Sequence, residues 1–287
     1  ELPANGRNWL ALALLAPGSR TSSGNAVTPL PDRNGGEARE FQLNMDGQQV
    51  SNEIGTGNQP RYSQDAIAEF QYLTNRFDAT QGRTSGVQVN VITKSGTNQL
   101  SGLFRTNFRH NRFNAEEPVL NRVVPINNQQ FSGAGGGPIV RDKLHYFGNV
   151  EYEREPRSSI WNTPYQVFNR ELHGDRTIKL TNVRGDYQLS NQIRLMGKGT
   201  WGRFFEPFGA PASNNSPAAT NTTAEHNNEG MGQMTHVISN RAVNEAKVGY
   251  AFFNLANGNL TTWSNHWQKG NGIRTGSPPI SFSALNV

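Results

Sequence analysis

The sequence contains no cysteine, which excludes a disulfide framework and any metal site built on thiolates. It also has no continuous apolar run of about 18 residues, so it predicts no transmembrane helix. Apolar residues make up only 34% of the 287 residues, and the mean hydropathy is −0.67. A soluble globular core normally contains more of them. These scarcities leave two classes open: a disordered chain, or a membrane β-barrel whose strands are polar toward the lumen.

The residues that are abundant favour the barrel over disorder. Aromatic residues make up 9% of the chain, and long stretches alternate between apolar and polar residues. Disordered chains are poor in aromatics and lack this alternation. The 30 glycines suit a protein with many turns and loops.

The sequence shows no sign of nucleic-acid binding or catalysis. The net charge is +5 and the pI is near 9.6, but the Arg and Lys residues are dispersed. Such charge suits a pore lining or anionic lipopolysaccharide better than nucleic acid. The histidines lack the spacing of a zinc site. The glycine-rich run 133–137 lacks the Lys-Ser/Thr of a phosphate-binding loop and precedes Pro138. We therefore predict no catalytic residue, no metal, no cofactor and no enzymatic activity.

The first 99 residues mix helix and strand patterns. Residues 87–93 alternate valines with Gln88, Asn90 and Ile92, which predicts a strand with one apolar face. A shorter strand is predicted over 41–45, before an Asp-Gly turn. Helices are predicted over 9–16 and over 65–75, the second capped by Ser63 or Asp65. Together these elements predict a small α+β domain of about four strands and two helices.

From Leu100 onward the hydropathy alternates with a period of two, which predicts seven strands. Tight turns at 139–142, 189–192 and 239–242 alternate with long connections over 113–126, 156–175 and 206–227. This is the up-and-down pattern of an outer-membrane barrel, whose short turns face the periplasm. The predicted strands cover residues 100–112, 127–138, 143–155, 176–188, 193–205, 228–238 and 243–255.

Three of these strands, the third, fifth and seventh, have one distinctly apolar face. In the third, Tyr146, Val150 and Tyr152 oppose Asn149 and Glu151. Each of the three strands places an aromatic residue eight positions after its first outward residue. Eight residues rise about 20 Å along the membrane normal at a tilt of about 40°, close to an apolar band edged by aromatics. A soluble β-sandwich also alternates and stays open as an alternative.

The run DAIAEFQYLTNRFDATQGRTSGVQVNVITKSGTN, residues 65–98, resembles the end of the plug domain of TonB-dependent outer-membrane receptors, especially the Oar-like branch. ELPANGRNWLALALLAPG at 1–18 is similar to the start of that plug, and FQLNMDGQQVSN at 41–52 to its middle. One departure is that the family usually has two glycines where this chain has Gly86-Val87. The positions that carry the plug motif, with a structural or gating role, are Gly82, Gly86, Val89, Asn90, Val91, Thr93 and Lys94.

This resemblance implies an α+β plug domain over 1–99, followed over 100–287 by the N-terminal part of an antiparallel transmembrane β-barrel, partial and open. It implies a transporter of the bacterial outer membrane that takes up a bulky or scarce extracellular substrate. Energy would come from TonB, through a segment upstream of this chain, and the outward side chains would meet membrane lipid. The alternatives are a passive porin-like channel and a secreted β-rich carbohydrate-binding module.

Two sets of side chains follow as candidates for contacts within this architecture. Arg76 and Arg83 of the plug are expected to meet Glu151 and Glu153 of the lumen, because a buried charge needs a partner. Three aromatic residues in the 156–175 connection are expected to contact the ligand, namely Trp161, Tyr165 and Phe168.

Overall fold

A computed structural model describes residues 41–50, 60–74, 87–116, 123, 127–161, 170–208 and 221–259. The predicted helix over 9–16 lies outside these residues. Within the described ranges the chain forms two β-sheets. No helix in these ranges has the length and apolar character needed to span a membrane.

The first sheet has four strands in the order β2-β1-β4-β3. The central pair, β1 and β4, is parallel, whereas β2 and β3 run antiparallel to their neighbours. The predicted strands at 41–45 and 87–93 are confirmed. The strands are β1 (Phe41–Met45), β2 (Gln48–Gln49), β3 (Ile67–Thr74) and β4 (Val87–Thr93).

One side of this sheet is an apolar core, as the valine alternation predicts. Val89 and Val91 are completely buried, and Ile92 on the opposite side is exposed. Side chains at every second position of a strand share a face, so β1 and β4 contribute to the same cluster. The buried cluster contains Leu43, Met45, Val50, Tyr62, Val89 and Val91.

The helix predicted over 65–75 is wrong. Ser63 does act as a cap, accepting a hydrogen bond from the Asp65 amide, but the helical turn is a 3₁₀ turn limited to Gln64–Ala66. Strand β3 follows directly and contains a bulge between Ile67 and Glu69. The bulge adds one residue, so Ile67 and Phe70 both pack on the core although they are three positions apart. That spacing imitates the face of a helix.

The second sheet has seven strands in the order β11-β10-β9-β8-β7-β6-β5. Every neighbouring pair is antiparallel and consecutive in sequence, which confirms the predicted number of strands and their up-and-down connection. The strands are β5 (Ser101–His110), β6 (Asn127–Val140), β7 (Leu144–Trp161), β8 (Arg170–Gln188), β9 (Ile193–Glu206), β10 (Asn221–Ser239) and β11 (Ala242–Asn259).

The strands extend further into the long connections than their composition predicts. Strands β7 and β8 remain paired as far as Trp161 and Arg170, within the predicted 156–175 loop. Their polar residues bind across the sheet: Arg176 lies opposite Glu155 and contacts it at 2.6 Å, and Arg157 contacts Glu206 at 2.5 Å. A segment rich in charge resembles a loop in sequence, but here the charges form cross-strand pairs.

The seven-stranded sheet has two chemically different faces. The inner face, toward the four-stranded sheet, is buried and mostly polar, with a small apolar cluster of Ile178, Leu180 and Phe204. The outer face exposes large apolar side chains. Val150 is 59% exposed and Val248 is 75% exposed. A soluble sandwich exposes polar residues on its outer faces, so this pattern favours a membrane barrel. Buried polar residues of the inner face include Gln130, Ser132, Asn149, Glu151, Asn182, Lys198, Thr200 and Glu229.

The segment that joins β4 to β5 packs closely against the seven-stranded sheet at a pair of glycines, Gly96 of this segment and Gly136 of β6. A Cβ atom added to Gly96 would lie 2.8 Å from the amide nitrogen and 2.9 Å from the carbonyl carbon of Tyr146. One added to Gly136 would lie 3.4 Å from the Cα atom of Gly96. Glycine in β6 therefore permits backbone contact with this segment. Nearby, the Asn98 side chain accepts a hydrogen bond from the Asp142 amide at 2.9 Å.

We expect Gly96→Ala to destabilise the folded protein by about 1–3 kcal/mol, because the new methyl group meets backbone atoms that have no alternative rotamer. Gly133→Ala is the matched control, since a Cβ there meets nothing within 4 Å. The measurement is the thermal unfolding midpoint of the purified protein in detergent. Equal midpoints for the two variants would show that the segment between β4 and β5 does not contact the large sheet at Gly96.

Candidate functional site

The candidate site is the interface between the four-stranded sheet and the inner face of the seven-stranded sheet. Two parts of the small sheet reach this face. One is the tight turn between β1 and β2, and the other is residues 61–66 before β3, which we call the anchor segment. Both parts carry polar or charged side chains whose partners lie in the large sheet.

Asp46 is the centre of the first contact. It lies in the β1–β2 turn with a φ of 52°, followed by Gly47 at 84°, the left-handed region that Asp and Gly tolerate. This turn aims the carboxylate at the end of β4. The Thr93 amide donates to Asp46 Oδ1 at 3.0 Å, and the Thr93 hydroxyl donates to Oδ2 at 2.8 Å.

Two cations of the large sheet complete this Asp46 cluster. Lys198 on β9 places Nζ 2.9 Å from Asp46 Oδ2 and donates to the Met45 carbonyl at 3.0 Å. Arg184 on β8 donates to the Thr93 carbonyl at 2.9 Å and lies 3.6 Å from Asp46 Oδ1. The side chain of Lys198 is completely buried and that of Asp46 is 6% exposed. The pair is therefore largely removed from water.

The surroundings of Asp46 keep its carboxylate ionised. Burial alone would raise the pKa of Asp46, but the Lys198 ammonium and the hydrogen bonds from Thr93 outweigh it and lower the pKa below its ordinary value. A carboxylate with a lowered pKa stabilises the fold at neutral pH and loses this contribution as the pH falls through that lowered value. The Asp46 carboxylate thus stays charged at neutral pH.

The anchor segment makes the second contact, mainly with carboxylates of the large sheet. Arg61 binds Glu225 on β10 at 3.1 Å, and its guanidinium lies 4.1 Å from the centre of the Phe204 ring. Tyr62 donates its hydroxyl to Glu229, and Ser63 donates to Glu151. Burial and the neighbouring Glu229 charge raise the pKa of Tyr62 well above its ordinary value, so it stays a neutral donor.

Asp65 is the acidic residue of the anchor segment, so in this contact the anion belongs to the anchor segment and the cation to the large sheet. It is only 2% exposed and accepts a hydrogen bond from the Ser132 hydroxyl on β6 at 2.6 Å. Arg105 on β5 lies 3.6 Å from its other oxygen. Together the anchor segment and the Asp46 cluster contact six of the seven strands, β5 to β10.

The other side of the four-stranded sheet carries amide side chains. Asn44 donates to Asn90 at 2.9 Å, and Gln42 and Gln88 donate to these two residues at 2.9 Å each. The amides line an open cavity of about 650 Å³ that also reaches Lys247 on β11. The small sheet is therefore apolar on one side and lined by hydrogen-bonding groups on the other.

The structure brings some of the predicted site residues into this interface. Glu151 meets the anchor segment at Ser63, whereas Glu153 accepts a hydrogen bond from Asn128 at 2.7 Å. Their expected partners Arg76 and Arg83 lie outside the described residues. Trp161 ends strand β7, and Tyr165 and Phe168 lie outside the described residues.

The predicted plug-motif residues lie in different parts of the structure. Val89 and Val91 lie in the core, and Asn90 lies in the amide network. Thr93 belongs to the Asp46 cluster, and the Lys94 amide donates to the Ala66 carbonyl at 2.8 Å. Gly82 and Gly86 lie outside the described residues.

Sequence reasoning missed Asp46, Arg184 and Tyr62 as contact residues. Asp46 and Lys198 are 152 positions apart, and an aspartate before glycine is fully explained by the turn it forms. In the sequence, Lys198 alternates with the apolar or small residues Gly197, Gly199 and Trp201, and this alternation is the local signal for its inward direction. Within the described ranges no group of three or more His, Asp or Glu side chains is placed to hold a metal ion.

Comparison with known proteins is consistent with this architecture. A family model described as an outer membrane beta barrel domain matches residues 92–177. The TonB-dependent transporter Oar of Myxococcus xanthus is 25% identical over 149 residues, which are 49% of this chain and 14% of that protein.

One solved structure supports the fold. A mutant of the ferric enterobactin receptor PfeA from Pseudomonas aeruginosa superposes with a TM-score of 0.54 at 13% identity, over 76% of this chain and 33% of that one. The siderophore receptor PirA from Acinetobacter baumannii matches with a TM-score of 0.46 at 12% identity, over 76% of this chain and 37% of that one. The chain spans about a third of the length of these receptors. In sequence the chain is similar to a TonB-dependent transporter, and in fold to a TonB-dependent type of receptor of the bacterial outer membrane.

Proposed function

We propose that this chain contributes the plug and seven barrel strands of an energy-coupled outer-membrane transporter. In this proposal residues 1–99 form the plug domain and residues 100–287 belong to the barrel. The observation that carries the proposal is the buried Asp46–Lys198 pair, which joins the small sheet to the inner face of the large one. The chain acts by binding and movement, and it makes or breaks no covalent bond.

The polar character of the interface suits a plug that must both seal and move. Buried ion pairs contribute little net stability, because the cost of removing the charges from water nearly cancels their attraction. They are costly only when one partner is left alone. Water that enters a polar interface can replace its hydrogen bonds, whereas an apolar interface gains nothing from water. Coordinated separation of all partners therefore needs less work than the number of contacts suggests.

The energy source in this proposal is TonB, acting on a segment before the described residues. Tension arriving from that side would reach β1 and its turn, where Asp46 is bound. Because β1 pairs in parallel with β4, the same tension would act along their shared hydrogen bonds. Release of Asp46 from Lys198 and Arg184 is the step at which the small sheet would leave the inner face.

The substrate in this proposal is a bulky or scarce extracellular nutrient. Trp161, Tyr165 and Phe168 stay predicted ligand contacts. A passive porin-like channel is the first alternative, and the small sheet packed on the inner face disfavours it. The outward apolar face disfavours the secreted carbohydrate-binding module.

We expect Lys198→Met to loosen the small sheet, because it leaves the buried Asp46 carboxylate without its nearest cation. Breaking a buried pair on one side costs about 3–5 kcal/mol. Asp46→Asn and the double variant complete a double-mutant cycle. The readout is potassium chloride conductance of the complete gene product in planar bilayers. Lys198→Met should conduct more than the parent protein, and the double variant less than the sum of the two single ones.

The control for this cycle is Lys143→Met, an exposed lysine in the β6–β7 turn. It removes the same charge without touching Asp46, so its conductance should equal that of the parent. Strictly additive effects of the two single substitutions would contradict a direct Asp46–Lys198 contact. A parent protein that already conducts freely would favour the passive channel.

Energy coupling is tested with a single cysteine at position 90, introduced as Asn90→Cys in the amide-lined cavity. These 287 residues contain no other cysteine, and the unsubstituted gene product is the control that isolates labelling at position 90 by a membrane-impermeant maleimide. We expect labelling in cells to rise when the inner membrane is energised, because separation of the small sheet widens access to the cavity. Deletion of TonB or addition of a protonophore should lower it. An equal labelling rate in all three conditions would contradict energy coupling.

A further inference from the structure

Three cationic side chains lie together on the outer face of the seven-stranded sheet. Lys179 on β8 is directly opposite Tyr152 on β7 and Arg203 on β9. Arg154 is the next outer-face residue of β7 after Tyr152, diagonal to Lys179. We call Arg154, Lys179 and Arg203 the outer cation cluster. None of them faces the small sheet, so the interface between the two sheets does not explain their position.

The cluster lies at one edge of the exposed apolar surface. The next row toward the tight turns contains Val150 and Trp201, which are 59% and 44% exposed. On β8 the outer face continues to Tyr187, eight positions after Lys179 in the direction of the tight turn. Eight residues correspond to about 20 Å along the membrane normal, close to the height of a barrel's apolar band. Lys179 therefore lies at the margin of the band, on the side with the long connections.

The positive charges in this cluster are incompletely balanced. Arg154 is paired with Asp175 at 2.9 Å. Arg203 donates to the Asn228 side chain at 2.8 Å and to the Gly202 carbonyl at 2.7 Å, both neutral acceptors. The Lys179 ammonium lies 6.0 Å from the centre of the Tyr152 ring. Within the described part of the chain, neither Lys179 nor Arg203 pairs with a carboxylate.

Lys179 and Arg203 also face each other across two paired strands, an arrangement that destabilises a sheet. Water screens this repulsion at an ordinary protein surface, but an apolar band beside the two cations weakens the screening. An anion placed between them would remove the repulsion and replace it with two attractions. The charge pattern thus fits a negatively charged group that lies at the edge of the apolar band.

We propose that the outer cation cluster binds a phosphate group of an anionic glycolipid in the outer leaflet, with its acyl chains on Val150 and Trp201. A phosphate accepts charge-assisted hydrogen bonds from both an ammonium and a guanidinium. The exposed apolar row beside the cluster distinguishes a lipid from free phosphate, because it contributes contact area that only acyl chains can use. The site would fix this part of the barrel at a defined depth in the membrane.

The test is a binding titration with the complete gene product in detergent. The probes are lipopolysaccharide, the same lipid after removal of its phosphates, and inorganic phosphate. We expect the double variant Lys179→Gln/Arg203→Gln to bind lipopolysaccharide about thirtyfold more weakly than the parent. The dephosphorylated lipid should bind both proteins equally. The matched control, Arg141→Gln/Lys143→Gln, removes two exposed cations at the opposite end of the strands and should bind like the parent.

Equal affinity of the parent and the Lys179→Gln/Arg203→Gln variant for lipopolysaccharide would overturn the proposal. An equal loss in the control variant would overturn it too, because it would show a general effect of charge. Millimolar inorganic phosphate that displaces the lipid completely would show a free-anion site instead. Salt dependence of the parent protein is a test that needs no variant: added salt should weaken binding of lipopolysaccharide but not of the dephosphorylated lipid. Salt independence would contradict the proposal.

Discussion

The buried Asp46–Lys198 contact is the constraint on which the arrangement of the two sheets depends. An ammonium at the inner face of β9 has lost its water, and removal of an ion from water costs several kcal/mol unless a partner of opposite charge is present. The small sheet supplies that partner from a turn whose backbone only Asp, Asn or Gly readily adopts. Conversely, the Asp46 carboxylate needs the large sheet. Each sheet thus satisfies charges that the other could not bury alone.

The availability of polar partners also explains why the two faces of the large sheet differ. Period-two alternation sends Lys198, Thr200 and Asn182 inward, where amide, hydroxyl and charged partners are available, and sends Val150 and Trp201 outward, where none are needed. An exposed apolar face is stable in hydrocarbon and unfavourable in water, so the membrane is part of the fold. The inner face can stay polar because a second, smaller sheet covers it.

The large sheet was predictable from sequence because the patterns that specify it, alternation and turn spacing, are local in the chain. Alternation and turn spacing predicted seven strands, and alternation also predicted the inward direction of Asn149 and Glu151. Strand β3 was mistaken for a helix because a bulge places Ile67 and Phe70 three positions apart on one face. The outer ends of β7 and β8 were mistaken for loop because Glu155 and Arg176 find each other only across the sheet. The Asp46 cluster joins residues more than 90 positions apart, and no local pattern reports such a pairing.

The most direct measurement is a disulfide between the two sheets, formed in cells that carry the complete gene product with Gln48→Cys and Gly249→Cys. A Cβ at position 249 would lie 3.3 Å from the Gln48 Cγ atom, which is within reach of a disulfide. The account predicts that the bond forms in the outer membrane, and that it blocks growth of a strain dependent on the gene until a reductant is added. Absence of the bond, or growth that the bond leaves unchanged, would contradict a small sheet that sits on the inner face and must leave it for transport.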